Sequence, residues 1–344
     1  MMKLPSLPAL PAPAPPGWVV YTAAAAPGQV PAGPRRPLAF ASWLFLEPAH
    51  QALQTVPGPV LSFFLEDEAA GHTVAQLFVA LGYPAPGQAS SPAQAPFGAV
   101  QLAPGVPAAA LHALLATAEA TLRQQGQQRL HLRSPAPCYD PLGLPQLAAV
   151  LAERGYQVML AEENYHLDPA RDYEAHLHPS ERRRLRRCRR LGLVPEQEPP
   201  LILPWAYEFI ARCRHERGQQ LSLPLERLQA LFRAFPGQHL LFSVRKPGGE
   251  WAALTVAIQA SAGVLYSFYP ASPLADNPRS PAVLLCESLH AYARASGLAA
   301  VDLGTSTLPA GPGAGSSVPN ESLLRFKRHL GGVASTKLSW AREL

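Results

Sequence analysis

The sequence predicts an α/β protein of two domains, and three observations support that prediction. The chain has 344 residues, which is more than one hydrophobic core usually serves. Hydrophobic residues make up 48% of it and charged residues 15%, so it is not a disordered polyelectrolyte and can fill sizeable cores. Strand-like and helix-like segments are mixed in the first half, and the second half repeats that outline.

In the first half, the strand-like segments are rich in β-branched or aromatic residues and are bounded by Gly, Pro or Asp. They lie at 18–22, 39–46, 60–65, 73–81, 97–102, 129–133 and 156–167. Helical periodicity predicts helices at 107–125 and 144–155. We therefore expect an antiparallel meander followed by crossover units.

The second half begins with helices, continues with a three-strand meander and ends with alternating helices and strands. The predicted helices lie at 180–191, 204–216, 225–235, 281–296 and 321–330. The predicted strands lie at 239–245, 252–260, 263–269, 300–303 and 333–340. This half is therefore expected to form a second α/β unit.

The last quarter of the chain carries the strongest functional pattern. A short apolar strand, AAVDLGTS at 299–306, delivers Asp302, Thr305 and Ser306 to its end. A capped cationic helix follows in NESLLRFKRHLGG at 320–332, and it carries Phe326 and Lys327. Active sites are often assembled in this way, from polar residues at a strand end beside a helix.

The D-x-G strand end and the F-K-x-x-x-G-G helix resemble the C-terminal half of Fem-type aminoacyltransferases and their BioF2-like relatives, within the GNAT (acyl-CoA N-acyltransferase) superfamily. The resemblance implies two tandem GNAT-like domains, 1–167 and 168–344, with mixed, mostly antiparallel sheets flanked by helices. It also implies an enzyme that moves an acyl or aminoacyl group onto an amine by direct attack in a ternary complex. The donor would be acyl-coenzyme A or aminoacyl-tRNA, with no tightly bound cofactor.

In Fem-type enzymes the lysine of the matching F-K pair lies in the active site. The resemblance therefore gives Lys327 the task of stabilising an oxyanion or the donor's phosphates, with Phe326 turned toward the core. From the residues alone, Lys327 also fits a solvated face of an amphipathic helix. Asp302 fits a proton acceptor or an orienting group, and equally a carboxylate that caps the turn before Gly304. Tyr269 is a second candidate for proton transfer.

Several other residues are candidates for substrate binding. Thr305 and Ser306 can donate hydrogen bonds to a ligand, or be satisfied by nearby backbone. Tyr266 opens a loop that ends at Arg279 and Ser280, where a Ser-Pro helix start favours a phosphate or pyrophosphate. An ordinary capped helix is the alternative. The loop lacks the Gln/Arg-x-x-Gly-x-Gly/Ala signature of typical coenzyme A-dependent GNAT proteins, which weakens acetyl-coenzyme A as the donor.

The helix in HPSERRRLRRCRRLGL, residues 178–193, is strongly basic. Its apolar stripe is narrow, so much of its circumference is cationic, and the anion-binding candidates are Arg183, Arg186, Arg187 and Arg190. A tRNA, a nucleotide-linked precursor or a membrane surface would suit it. The alternative function is therefore a non-catalytic GNAT-like module that binds RNA or an anionic precursor through residues 182–190.

Several motifs are absent from the sequence. There is no phosphate loop, no G-x-S-x-G elbow, no H-E-x-x-H pair and no C-x-x-C pair among the four cysteines, so we expect neither a metal site nor a covalent intermediate. No run of about 18 apolar residues predicts a transmembrane segment. Prolines between Pro5 and Pro16 interrupt any signal-peptide core, so a cytoplasmic location is expected.

Overall fold

The computed structural model describes residues 14–308 and 318–344. Its contacts divide the chain into two compact units. Unit 1 contains the chain up to residue 135 together with 141–160 and 339–344, and unit 2 contains 136–140 and 161–338. The division into GNAT-like domains between residues 167 and 168 stays a prediction.

The strands and helices of the described residues have the following bounds. The strands are β1 (Trp18–Ala25), β2 (Val60–Asp67), β3 (His72–Leu81), β4 (Gln88–Ser91), β5 (Gln101–Leu102), β6 (Arg129–Arg133), β7 (Gln157–Leu167), β8 (Val194–Glu198), β9 (His239–Arg245), β10 (Trp251–Gln259), β11 (Val264–Ser267), β12 (Ala300–Thr305), β13 (Thr307–Leu308), β14 (Val318–Pro319) and β15 (Val333–Glu343). The α-helices are α1 (Pro48–Ala52), α2 (Ala108–Gln124), α3 (Gly143–Glu153), α4 (Tyr173–His176), α5 (Pro179–Arg190), α6 (Leu203–His215), α7 (Leu225–Ala234), α8 (Pro281–Ala295) and α9 (Glu321–His329).

Unit 1 is built on a sheet of order β1-β2-β3-β4-β6-β15, with β5 beside β3. Strands β1 to β4 pair antiparallel, and β6 then lies parallel to β4 after the helix α2. Residues 339–343 of β15 close the sheet antiparallel to β6. The helix α2 buries Leu111, Leu114 and Leu122, which supplies the apolar stripe that a helix needs to pack on a sheet.

Unit 2 repeats this arrangement with the order β7-β12-β11-β10-β9-β8. Strands β8 to β11 pair antiparallel, and β12 lies parallel to β11 after the helix α8. The strand β7 completes the sheet antiparallel to β12. Leu185 of α5 and Leu289 of α8 join the core formed with strand residues such as Val244. The predicted mixed, mostly antiparallel α/β class is confirmed.

Two predicted strands of unit 1 are wrong in extent. Residues 39–46 contain no strand, because the buried run Leu44–Leu46 forms a single 3₁₀ turn before Pro48 opens α1. At 97–102 only Gln101–Leu102 pairs as a strand, since Ala99 adopts a left-handed conformation with φ 63° that breaks the extended chain.

Four strands of the described residues lie where the sequence analysis predicts none, namely β4, β8 and the two-residue strands β13 and β14. The strand β4 is QASS and has none of the large apolar residues that mark a strand. The strand β8 is VPEQE and lies at the end of the order of unit 2. An edge position explains how it tolerates Pro195 and charged side chains.

Candidate active site

The side chain of Lys327 lies inside unit 2, at the end of β12. Asn320 caps α9 by accepting a hydrogen bond from the Leu323 backbone nitrogen, which fixes where the helix starts. Lys327 is only 4% exposed. Its Nζ donates to the carbonyl oxygens of Gly304 at 2.7 Å and Thr305 at 2.9 Å. The solvated-lysine interpretation of this residue is therefore wrong.

The buried ammonium of Lys327 has no direct ion-pair partner in the part of the chain that the structure describes. Among the described residues no carboxylate oxygen lies within 4.0 Å of its Nζ. Burial lowers the pKa of Lys327 from 10.5 to about 8, while the more distant Asp302 raises it. Two of the three N–H groups donate to backbone carbonyls, and among the described residues the third has no recorded acceptor.

The carboxylate of Asp302 is held by neutral donors. It is 4% exposed, and its Oδ1 accepts from Asn164 Nδ2 at 2.9 Å and from the Gly304 nitrogen at 2.8 Å. Burial, and next the nearby Asp302 carboxylate, raise the pKa of the Tyr139 phenol well above its usual value. Asp302 accepts a hydrogen bond from the Gly304 amide, as the capping interpretation expects. It also lies in a buried polar cluster, close enough to Lys327 to act on it electrostatically.

The glycine of the D-x-G pattern is required by its surroundings. Gly304 has φ +71°, and a Cβ placed there would lie 3.3 Å from Tyr266 Cε2. A left-handed turn at this point lets the Gly304 amide face Asp302 while its carbonyl faces Lys327. The pattern that identifies the site in the sequence is therefore the one that builds its geometry.

The paired glycines after α9 are also explained by close packing. Gly331 has φ +78°, and a Cβ there would lie 2.8 Å from the His176 carbonyl oxygen. A Cβ at Gly332 would lie 2.8 Å from the carbonyl oxygen of Lys327 itself. Both glycines therefore allow the chain to leave the lysine helix without displacing it.

We expect Gly331→Ala to destabilise the protein by about 2 kcal/mol or more, because a strained φ and a clash with backbone act together. Gly297→Ala is the matched control, since Gly297 has φ +67° but no atom within 4 Å of its would-be Cβ. Urea unfolding of both variants measures the difference. Equal losses would show that the contact with His176 carries no cost.

Comparisons with known proteins support the fold. Neither the protein-family models nor the curated proteins give a match. Among solved structures, FemX superposes with a TM-score of 0.61 at 13% identity, covering 82% of this chain and 87% of that one. The fold resembles that of FemX. L-PGS from Bacillus licheniformis gives a TM-score of 0.52 at 14% identity, covering 80% and 82% of the two chains. A C-terminal domain assigned to a lysylphosphatidylglycerol synthetase from Agrobacterium fabrum gives 0.52 at 13%, covering 78% and 81%.

Within this Fem-like fold, strand β7 supplies polar residues that the sequence analysis missed. Asn164 contacts Asp302, His166 pairs with Asp302 in the strand register, and Glu162 accepts a hydrogen bond from Thr307. Burial lowers the pKa of His166, and Asp302 opposes that shift. The three alternate along the strand, so a polar face with period 2 was the signal available in the sequence.

The other catalytic candidate, Tyr269, is engaged elsewhere in unit 2. Its hydroxyl lies 2.6 Å from Ser222 Oγ and accepts from the Leu223 nitrogen at 3.1 Å, and its ring stacks on Phe268. These contacts give Tyr269 a structural task. Its predicted role in proton transfer stays a prediction without a contact to support it.

The remaining substrate-binding candidates differ in their surroundings. Thr305 contributes its carbonyl to Lys327. Ser306 is 2% exposed, and its Oγ has no hydrogen-bond partner among the described residues. Phe326 packs against the core of unit 2, as the resemblance implies. Burial, and next the nearby Asp302 carboxylate, raise the pKa of the half-buried Tyr266.

The start of α8 is not the capped anion site that the Ser-Pro signal predicts. Ser280 is left-handed, with φ 53°, and its hydroxyl donates to the Asn277 carbonyl instead of capping the helix. Arg279 pairs with the buried Asp276 at 2.7 Å. The two side chains expected to hold a phosphate are therefore occupied within unit 2.

Most arginines of α5 have partners within unit 2. Arg184 pairs with Glu181, Arg186 and Arg189 pair with Glu174, and Arg189 also pairs with Glu287. Arg182 and Arg187 donate to backbone carbonyls. In the described part of the chain only Arg183 and Arg190 of this helix have no such partner. The cationic face is thus smaller than the sequence indicates.

Membrane-spanning helices and metal-binding clusters are both absent from the described residues. Between 14 and 308 and between 318 and 344, no helix combines enough length and apolarity to cross a bilayer. In the same ranges, no group of three or more His, Cys, Asp or Glu side chains is arranged to hold a metal ion.

Proposed function

We propose that the protein transfers an acyl or aminoacyl group from an activated carrier to an amine, by direct attack in a ternary complex. The observation that carries this proposal is the buried Lys327 ammonium, which is fixed by two carbonyls and has no ion-pair partner within 4.0 Å among the described residues. A preorganised cation in a poorly hydrated site is suited to stabilise negative charge that appears only in a transition state.

The chemistry is assigned as follows. The amine nitrogen attacks the carbonyl carbon of the donor, the carbonyl oxygen becomes an oxyanion, and the third N–H of Lys327 donates to it. Collapse breaks the bond from that carbon to the carrier, and the proton lost by the amine ends on the leaving oxygen or sulfur. Asp302 keeps Lys327 protonated by raising its pKa. Proton acceptance by Asp302, the other role that the sequence analysis gives it, is the alternative to this electrostatic role.

We favour an aminoacyl ester, as in aminoacyl-tRNA, over a coenzyme A thioester as the donor. A coenzyme A pyrophosphate would need the amides at the start of α8, where Arg279 is paired with Asp276 and Ser280 is left-handed. The name of one fold neighbour specifies a lysylphosphatidylglycerol synthetase. That name supports an aminoacyl donor but not the amine acceptor, because phosphatidylglycerol offers hydroxyls and no amine, and a BioF2-like relationship stays a prediction.

The test is to incubate the purified chain with aminoacyl-tRNA or acyl-coenzyme A and a panel of amines, and to find the new amide by mass spectrometry. Product from the ester donor alone supports the full proposal. Product from the thioester alone contradicts the donor assignment, and no product from either contradicts the transfer itself. RNA binding without product would instead support a binding module on α5, although only Arg183 and Arg190 lack partners there among the described residues.

The rate of transfer is expected to fall as pH rises through about 8, because Lys327 must keep its proton and its pKa is lowered to about 8. The acceptor amine becomes more reactive over the same range, so a fall is diagnostic of a group on the protein. A pH–rate profile at saturating donor and acceptor measures the midpoint. A profile that only rises through this range would exclude a required ammonium at Lys327.

A further inference from the structure

Unit 1 contains a cleft of about 340 Å³ that lies outside the site in unit 2. Its lining includes three arginines, Arg129, Arg154 and Arg342, together with Met159, Ala341 and Glu343. Its volume falls within the range of small-molecule sites. Three guanidiniums around one cleft require a source of compensating negative charge.

Two of the arginines share a single buried carboxylate. Arg154 donates from Nε to Glu119 Oε1 at 2.9 Å and from Nη2 to Oε2 at 2.6 Å. Arg342 Nη1 lies 2.8 Å from the same Oε2, and the Tyr156 hydroxyl donates to Oε1 at 3.2 Å. The single negative charge of Glu119 is therefore shared by two guanidiniums, and it cannot neutralise both of them.

The third arginine is weakly compensated. Arg129 Nε lies 3.2 Å from Glu343, whose side chain is 75% exposed, so water screens the attraction. The same Nε is buried and makes no hydrogen bond to any described residue, while Nη2 rests on Met159 Sδ at 3.6 Å. A guanidinium with an unused buried donor and an exposed partner is free to take a better acceptor.

We propose that this cleft binds a small phosphate monoester. Guanidiniums donate in a planar fork that matches phosphate and carboxylate oxygens. A carboxylate offers two oxygens and one charge, whereas a phosphate monoester offers three oxygens and a charge of about −1.5 to −2. That charge suits three guanidiniums whose buried partner Glu119 supplies one negative charge and whose second partner, the exposed Glu343, a ligand can displace. Met159 and Ala341 give the organic part of the ligand an apolar contact. The proposal is independent of the function assigned to Lys327.

Calorimetric titration of the full chain tests the site, with phenyl phosphate, inorganic phosphate and acetate as probes at constant ionic strength. We expect phenyl phosphate to bind more tightly than inorganic phosphate, and acetate to bind least. Arg129→Gln should weaken phenyl phosphate binding about tenfold or more, since a charge-assisted contact is lost. Glu343→Gln should strengthen it about threefold, because an exposed competing carboxylate is removed.

Arg129 and Glu343 are chosen because neither change leaves Glu119 unpaired. Arg123→Gln is the matched control, since Arg123 is an exposed arginine of α2 in the same unit, and it should bind as the wild type does. Lys327→Met should also leave phenyl phosphate binding unchanged. No binding of phenyl phosphate by the wild type, or equal binding by Arg129→Gln, would overturn the proposal. Loss of binding in Lys327→Met would overturn it as well, by moving the phosphate site to unit 2.

Discussion

Lys327→Met is expected to lower the rate of acyl transfer by about 10²–10³-fold, as removal of one preorganised oxyanion donor does in other enzymes. The side chain of Met fills a similar volume without the charge. The two carbonyl oxygens of Gly304 and Thr305 lose their donor, while the cost of burying a cation disappears. The lost hydrogen bonds destabilise the folded state, whereas removal of the buried charge stabilises it. Because these two effects oppose each other, the variant should stay largely folded, and its rate should fall by more than its folded fraction does. Single-turnover rates and urea unfolding on the same samples separate the two.

The same variant is expected to lose a pH dependence of stability that the wild type has. The pKa of Lys327 is lowered from 10.5 to about 8 by burial, so below about pH 8 both states carry the proton and the full cost of burial is present. Between the two values the folded state releases its proton first, and the wild type gains stability with rising pH. Relative to Lys327→Met, that gain amounts to about 3 kcal/mol across the interval.

The control for these measurements is Arg325→Met, because Arg325 is an exposed cation on the same helix. Its removal should change neither the rate nor the pH dependence of unfolding by a comparable amount. If Arg325→Met reproduced the effect of Lys327→Met, general loss of positive charge would explain both, and the buried ammonium would have no special role.

The burial of Lys327 could be predicted from its position in the helix. Leu324, Lys327 and Leu330 are spaced by three residues and are all buried, so a lysine stands within the apolar stripe of α9. A lysine in that stripe, following a strand that ends in D-x-G, marks Lys327 and Asp302 as candidate site residues, and their role in catalysis stays a prediction. The Fem-like fold is implied by the resemblance of the D-x-G and F-K-x-x-x-G-G motifs, and the superposition on FemX supports it.

The partners of Asp302 could not be predicted in the same way. Asn164 lies 138 positions earlier in the chain, and Tyr139 belongs to the short segment 136–140 that joins unit 2. Local periodicity carries no information about such pairings, because the order of strands in the sheet decides them. The carboxylate partners of the α5 arginines could not be predicted for the same reason, since Glu287 lies 98 positions from Arg189.

Asp302→Asn is expected to move the high-pH limb of activity to lower pH. The substitution keeps an oxygen that can accept from Asn164 and Gly304, but it removes the carboxylate charge that raises the pKa of Lys327. Lys327 should then lose its proton more readily, so the rate at pH 8 should fall on the order of tenfold. The rate should recover toward the wild-type value as pH is lowered, which a loss of proton-accepting ability would not allow.

Glu162→Gln provides a graded comparison for Asp302→Asn. Glu162 also raises the pKa of Lys327, but by less than Asp302 does, so its removal should move the limb in the same direction by a smaller step. pH–rate profiles of the wild type and both variants decide the matter. Because the limb is assigned to Lys327, an unchanged midpoint in Asp302→Asn would mean that the titrating group is not in electrostatic contact with Asp302. A rate that stays low at every pH would instead make Asp302 the proton acceptor.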